Sequence, residues 1–357
     1  MRMPIGGLHA QLVGSYTKPD WLIAHKRVTS PAADFWRPHP DVLASAQDDA
    51  TRLAVADQER AGLDLITDGE LRRQRFDTYF FHLGGIDHKR LGRWSMERRD
   101  HSFVELDPAV EARLAEARVP RVVGEVSWPG PIALEDLRFL KAQTERPVKM
   151  TVIGPLTAAA RLANEAYPSE EALGMALAAV INEELRALDA EGVDVVQIDE
   201  PDFHFRHDAA VAWGAAAIDR AFEGIEATKA VHVCYGYATI GRKHLDEDYG
   251  RVLEAIAASS ADAISLEYEQ PGHDARLLTA CGDKAVILGL LDLSSHAAET
   301  VERIADRARE ALEVVPEERL SLAPDCGMWF LPREIAYGKI AALGSASRRL
   351  RAERGLG

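Results

Sequence analysis

SEEALGMALAAVINEELRALDAEGVDVVQIDEP, residues 169–201, holds the repeating unit of this chain. Residues 169–192 are an Ala/Glu/Arg-rich stretch with helical patterning. Residues 193–199, VDVVQID, are a nearly continuous apolar run of strand length, and the run ends on Asp199-Glu200-Pro201. A strand apolar on both faces belongs in a parallel sheet covered by helices. The same rhythm runs outward in both directions. QLVGS (11–15), LDLIT (63–67) and PVKMTVIG (147–154) precede it, and AVHVCY (230–235), ADAISLE (261–267), AVILGLL (285–291) and RLSLAPD (319–325) follow. Helical patterns fill most of the gaps; in ETVERIADRAREALEVV (299–315) a capping-type Thr300 precedes Val301, Ile304, Ala308 and Leu312 at helical spacing. Eight such strands predict an α/β fold of one domain over 1–357, a single (β/α)8 TIM barrel, rather than an open doubly wound sheet. The barrel is preferred because polar groups recur at the strands' C-terminal ends, the rim where barrels build active sites.

Two stretches break the rhythm. Residues 84–132 are polar and then extended, which predicts a lid or hairpin inserted over the barrel mouth. The Pro- and Trp-rich stretch 17–45 is expected to be a loop across the same mouth.

Composition narrows the class. Forty-seven per cent hydrophobic residues exclude wholesale disorder. Lys+Arg 42 against Asp+Glu 57, a net charge of −15, argues against a nucleic-acid scaffold. No run of ~18 apolar residues offers a membrane span, and the N-terminus lacks the apolar core of a signal peptide. Three cysteines, Cys234, Cys281 and Cys326, fit a reducing compartment, so a cytoplasmic enzyme is expected.

His232 and Cys234 are two apart at the end of one strand, so they face the same side. Cys326 ends the eighth strand, and Glu267 ends the sixth. Facing one mouth, these residues supply an imidazole, two thiolates and a carboxylate, a donor set that suits Zn²⁺ better than Mg²⁺ or Ca²⁺. By spacing alone, His-x-Cys reads equally as a buried cysteine beside a satisfied core histidine. Cys281, in LLTACGD, has no partner pattern and reads as structural, while His204 and His207 read as members of a polar loop or as substrate contacts.

GSY, DGE, VIGPLT, QIDEP, HVCYG, ISLE and APDCG occur in that order between about residues 12 and 345. Together they resemble the catalytic barrel of cobalamin-independent methionine synthase, within a superfamily shared with uroporphyrinogen decarboxylase. The resemblance implies a zinc site of His232, Cys234, Glu267 and Cys326 that binds a substrate thiol. It also implies that Ser15 holds the carboxylate of homocysteine, and that Glu70 and Asp199 hold its ammonium.

The sequence departs from that family twice. The family's methionine synthases have two barrels, whereas this chain has the length of one. After the seventh strand the family carries Asp-x-His-Ser, whose histidine protonates the departing folate; here Asp292 is followed by Ser294 in the histidine's place, with His296 two residues on. Serine is a poor general acid near neutral pH. The expected catalytic pair is therefore Asp292 and Ser294, and the expected donor is methylcobalamin or a corrinoid protein, with homocysteine as acceptor. The alternatives are a methyltetrahydrofolate donor, or an epoxyalkane:coenzyme M type of transfer in which Arg72, Arg73 or Arg75 serves the sulfonate. A non-catalytic zinc-binding barrel and a metal-free decarboxylase are the readings from other classes.

Overall fold

The computed structural model describes residues 5–24, 34–78, 82–94, 104–106, 112, 116–235, 241–243 and 248–356, leaving aside the side chains of 104–106 and 241–243. Its strands are β1 Ile66–Thr67, β2 Gly84–Arg93, β3 Val104–Leu106, β4 Arg118–Ser127, β5 Val148–Ile153, β6 Ala163–Asn164, β7 Val195–Asp199, β8 Thr228–Val233, β9 Gly241–Lys243, β10 Ala263–Leu266, β11 Ala285–Gly289 and β12 Leu320–Ala323. Seven of them, β1-β5-β7-β8-β10-β11-β12 in that spatial order, form one curled sheet whose pairs are all parallel.

The eighth expected strand, 11–15, is not a regular strand. It closes the barrel through single bridges, Ala10 to Leu322 on one side and Gln11 to Leu65 and Ser15 to Gly69 on the other. Side chains take over part of the ladder here. Asp64 Oδ2 accepts from Ala10 N at 2.8 Å, and Thr67 Oγ1 donates to Gly14 O at 2.7 Å. The Gln58 amide binds both backbone groups of Thr67, at 3.0 and 2.9 Å. The same substitution shortens the expected 63–67 strand to Ile66–Thr67.

Inside the barrel, Ile5, Val13, Leu65, Val195, Ala230, Ala263, Ile287 and Ala323 form a small apolar plug, separate from the main core. Strand alternation places Gln197 and Asp199 on the same face as Val195, and His232 on that of Ala230. The outer face is covered by helices such as Glu170–Ala190, capped by Ser169 Oγ on Ala172 N at 3.0 Å. That helix buries Leu173, Leu177, Ile181, Leu185 and Leu188, each worth about 1.5–3 kcal/mol. Helix Val301–Ala311 starts on Thr300, whose Oγ1 accepts from Arg303 N at 3.1 Å.

The 84–132 insertion is a hairpin: β2 and β4 pair antiparallel with shifts of register. β4 also pairs with β6, just after helix Pro155–Ala160, which follows β5. β3 pairs antiparallel with β9, downstream of β8. The insertion therefore runs from the end of β5 to the end of β8, along the rim. The expected 17–45 loop is cut short, because helix Pro40–Ala61 begins inside it with Pro at its first turn, a position that needs no N–H donor. Residues 25–33 lie outside the described residues. Thr17 Oγ1 and Lys18 N bond Leu331 O and Trp329 O, which pins the start of this segment to the loop after β12.

Candidate metal and substrate site

The ends of β10 and β12 and the residue after β8 bring three of the four expected metal ligands, Cys234, Glu267 and Cys326, into one group, with His232 at its edge in contact with Cys326. One donor atom from each of Cys234, Glu267 and Cys326 lies within 4.8 Å of the others. The two sulfurs are 3.7 Å apart, and His232 Nε2 is 3.6 Å from Cys326 Sγ. Tetrahedral zinc, with ligand bonds of ~2.3 Å to sulfur and ~2.0–2.1 Å to nitrogen, implies separations of about 3.8 and 3.6 Å. The two sulfurs, and the imidazole with Cys326, thus stand at separations such an ion requires, while His232 lies outside the group of three donors that are all within 4.8 Å of one another. Glu267 does not: Cys234 Sγ donates to its Oε1 at 2.9 Å, closer than the roughly 3.6 Å between sulfur and oxygen ligands of one zinc. A thiol proton bridges these two groups.

Burial pushes His232 down to about 4, against the pull of Glu267 and with help from Lys149. The ring is therefore neutral at pH 7, as a metal ligand must be. Its Nδ1 is 3.0 Å from Ser265 Oγ, which orients Nε2 toward Cys326. Asp325 orients the other two strand ends. Its Oδ1 accepts from Tyr268 N and Glu269 N, both at 3.0 Å, and its Oδ2 from Gln270 N at 2.8 Å. One carboxylate thus ties Cys326 to the loop that begins at Glu267. Gly289 makes the room, since a Cβ there would lie 2.4 Å from Asp325 Oδ1. Asp325→Asn removes one acceptor oxygen and should lower metal affinity by about 10–100-fold. Competition with a chromogenic chelator measures this, and unchanged affinity would remove Asp325 from the site's support.

The expected substrate residues meet on the neighbouring part of the rim. Gly69 and Glu70 have φ of +66° and +57°, a left-handed turn that costs a non-glycine residue about 1–2 kcal/mol. Glu70 N donates to Asp68 Oδ1 at 3.0 Å, and Lys18 Nζ donates to Glu70 O at 2.8 Å, holding the turn. The turn sends the Glu70 side chain over Gly14, where a Cβ would lie 2.7 Å from its Oε1. Thr151 Oγ1 donates to that same oxygen at 2.9 Å. Ser15 packs against Gly327, where a Cβ would lie 2.1 Å from the serine Oγ. The glycines of GSY, DGE and PDCG are thus clearances that let the three motifs touch. Asp199 pairs in register with His232, so the substrate and metal halves of the site adjoin. Burial and the Glu70 carboxylate raise Asp199 to about 7, opposed by Gln197, Lys149 and Arg73.

Asp292 and Ser294 form a turn on the loop after β11: Ser294 N and Oγ donate to Asp292 Oδ1 at 2.8 and 2.6 Å. Ser294 and His296 are exposed. Arg72 pairs with Asp48 and Asp136, and Arg75 with Asp77, while Arg73 donates to Thr151 O and Oγ1. The cations that a sulfonate would need are thus engaged within the protein. His204 and His207 do not belong to a polar loop; they are buried, with the His204 ring 3.8 Å from Tyr235 and 4.6 Å from Tyr249. Tyr235, just after β8, and Tyr249, at the start of helix Tyr249–Ala257, are the aromatic neighbours that account for the difference. Cys281 is buried with its thiol pushed up to about 12, outside the metal group. Glu200 accepts from Leu156 N and Thr157 N, at 3.0 and 2.8 Å, and so caps helix Pro155–Ala160.

The reading from sequence missed Ser265, Asp325, Lys149 and Gln197. For the last two a signal existed: a lysine and a glutamine within otherwise apolar strand runs.

The chain matches the family described as cobalamin-independent synthase, catalytic domain, over residues 42–348. It is similar to the methionine synthase of Sulfolobus acidocaldarius, 30% identical over 93% of this chain and 89% of that one. It is also similar to the methionine synthase of Saccharolobus solfataricus, 29% identical over 97% and 96%. Among solved structures, a B12-independent methionine synthase from Shewanella sp. W3-18-1, in complex with selenomethionine, superimposes with a TM-score of 0.86. That chain is 33% identical, over 98% of this chain and 99% of its own. A putative vitamin-B12 independent methionine synthase from Listeria monocytogenes, TM-score 0.71 and 20% identical, shares the fold over 98% and 99%. These relatives match along nearly their whole length, so a second barrel is not part of what this chain resembles. No helix among the described residues is long and apolar enough to cross a membrane.

Proposed function

The chain belongs to the cobalamin-independent synthase catalytic-domain family, and from that premise we propose that it methylates the thiol of homocysteine to give methionine, using zinc and a methyltetrahydrofolate-type donor. The observation that carries this reading is the adjacency of two half-sites. Sulfur and imidazole donors stand at zinc-like separations beside His232's register partner Asp199, a carboxylate fit for an α-ammonium. The corrinoid donor expected from Ser294 gives way, because the family is described as cobalamin-independent and the Shewanella relative as B12-independent.

His232, Cys234, Glu267 and Cys326 would hold the zinc, which when bound favours the substrate's thiolate over its thiol at neutral pH. Glu70 and Asp199 accept the ammonium, and Ser15 donates to the carboxylate. These contacts fix the thiol end of homocysteine toward Cys326, the most open of the four ligands. The apolar plug beneath them keeps water from reaching the site through the barrel floor. Asp292 and Ser294 stand on the donor side. Ser294 Oγ donates to Asp292 on this exposed loop, so the serine would not serve as the acid for the leaving nitrogen.

The test is a side-by-side assay of methionine formation by the zinc-loaded protein at saturating homocysteine, with methyltetrahydrofolate or methylcobalamin as donor. Turnover with the folate donor is the expected result. Turnover with methylcobalamin alone would reverse the donor assignment, and none with either would overturn the methyl-transfer reading. Asp199→Asn should raise KM for homocysteine by roughly 10–150-fold, the worth of a hydrogen bond to a charged group, while metal content stays at the wild-type level. A normal KM would point to a thiol without an ammonium group.

A further inference from the structure

The barrel interior holds a lysine that the proposed chemistry does not use. Lys149, on β5, is fully buried. Its ammonium makes three hydrogen bonds, to Gln11 Oε1 at 2.8 Å, Leu12 O at 2.6 Å and Gln197 Oε1 at 3.0 Å. An ammonium has three donors and no acceptor, so this tripod is complete. Gln197 is equally committed. Its oxygen accepts from Lys149, and its Nε2 donates to Val13 O at 3.0 Å and to Asp199 Oδ1 at 2.8 Å.

We propose that Lys149 is a positioning residue for Asp199, acting through the amide of Gln197. An amide side chain is nearly symmetric in shape, and only its partners decide which end is oxygen. Turned over, Gln197 would present its NH₂ to the Lys149 Nζ donors and would take its own N–H away from Asp199 Oδ1. Both losses would be buried, where an unmade hydrogen bond is costly. The protonated Lys149 therefore favours the observed orientation. It keeps a donor on Asp199 Oδ1, while Oδ2 makes no hydrogen bond among the described residues. The tripod also ties the segment 11–12, which lacks a regular ladder, to β5 and β7. The segment that carries Gly14 and Ser15 and the strand that carries Asp199 are thereby fixed to one ammonium. This inference rests on the assignment of Asp199 to the substrate's ammonium, and it supplies the reason for that carboxylate's fixed orientation.

The test is Lys149→Met, which keeps the length and removes the donors, beside Gln197→Met and the double variant. A crystal structure of Lys149→Met reads the inference without any ligand: the Gln197–Asp199 contact should open from 2.8 Å to beyond ~3.5 Å, and an unchanged contact would overturn the inference. With substrate, each single variant should weaken homocysteine binding in calorimetry by about tenfold or more, the effect of losing a charge-assisted hydrogen bond. It should raise KM with little change in kcat and leave zinc content alone. The double variant should be no worse than the worse single one, since both act through one contact. Additive losses would show that Lys149 acts by another route and would sink the proposal. If Lys149→Met fails to fold, Lys149→Gln, which keeps a polar group but is too short to bind Gln11, Leu12 and Gln197 together, takes its place in the same cycle with Gln197→Met under the same non-additivity criterion. Failure of the wild type to bind homocysteine would refute the substrate reading instead, a result distinct from an unmoved Gln197–Asp199 contact.

Discussion

Cys326→Ser should cost the protein its metal and its methyl transfer together. Cys326 Sγ lies 3.6 Å from His232 Nε2 and 3.7 Å from Cys234 Sγ, so it is the atom that joins the imidazole to the rest of the donor set. A serine hydroxyl at neutral pH offers no anion in place of a thiolate. Loss of a residue that merely orients a ligand weakens metal binding by about 10–100-fold, and loss of a ligand should exceed that, to roughly 10³-fold or more. Elemental analysis after dialysis should find about one equivalent of zinc in the wild type, by the coordination chemistry of a single four-ligand site, and almost none in the variant. Cys281→Ser is the control: its thiol is buried and outside the group, so its zinc content should match the wild type. Equal zinc in all three proteins would refute the ligand assignment.

Asp77→Ala should be the most destabilising single change at the rim. Asp77 is fully buried and shared by two arginines. Arg75 Nε donates to its Oδ1 at 2.7 Å, and Arg161 Nη1 to its Oδ2 at 3.0 Å. Arg161 Nε reaches on to Asp202 Oδ2 at 2.9 Å. The chain of ion pairs links the loop after β1, the end of helix Pro155–Ala160 and the loop after β7, three of the segments that frame the mouth. Burial would push Asp77 up, but Arg75 and Arg161 outweigh it and hold the carboxyl below its ordinary 3.8. A depressed carboxylate contributes its stability in full above the ordinary value and loses it only as pH falls through the lower folded value. At neutral pH the contribution is complete. Removing the carboxylate leaves two guanidinium groups facing each other in a buried place, at a cost of about 3–5 kcal/mol. For a chain of this size that corresponds to a fall in Tm of about 4–7 °C. Thermal unfolding measured at pH 7 checks it. A shift under ~1 °C would show that the pairs contribute no more than exposed salt bridges do.

Seven of the eight strands, the main helices and the candidate metal-ligating residues were legible from sequence because each depends on local chemistry. Apolar continuity in VDVVQID reports burial on both faces, and a spacing of two in His232-Val233-Cys234 sets both side chains on one face whatever surrounds them. The polar endings marked the rim for the same reason, since each is read from the strand that precedes it. Only the tertiary structure decided how these pieces lock together. Residues 5–15 close the barrel by isolated bridges supplemented by Asp64 and Thr67, and no periodicity announces a strand whose ladder is completed by side chains. Glu70 reaches the site through a left-handed turn over Gly14, a clearance visible only once the two motifs are side by side. Asp325 reads in sequence as a neighbour of Cys326; the three backbone N–H groups it gathers come from a loop more than fifty residues away. Lys149 reads as a stray charge in an apolar run until the curl of the sheet brings Gln11, Leu12 and Gln197 around it. Burial and facing are properties of a residue and its near neighbours, whereas a hydrogen-bond partner far along the chain is fixed by strand register and barrel closure.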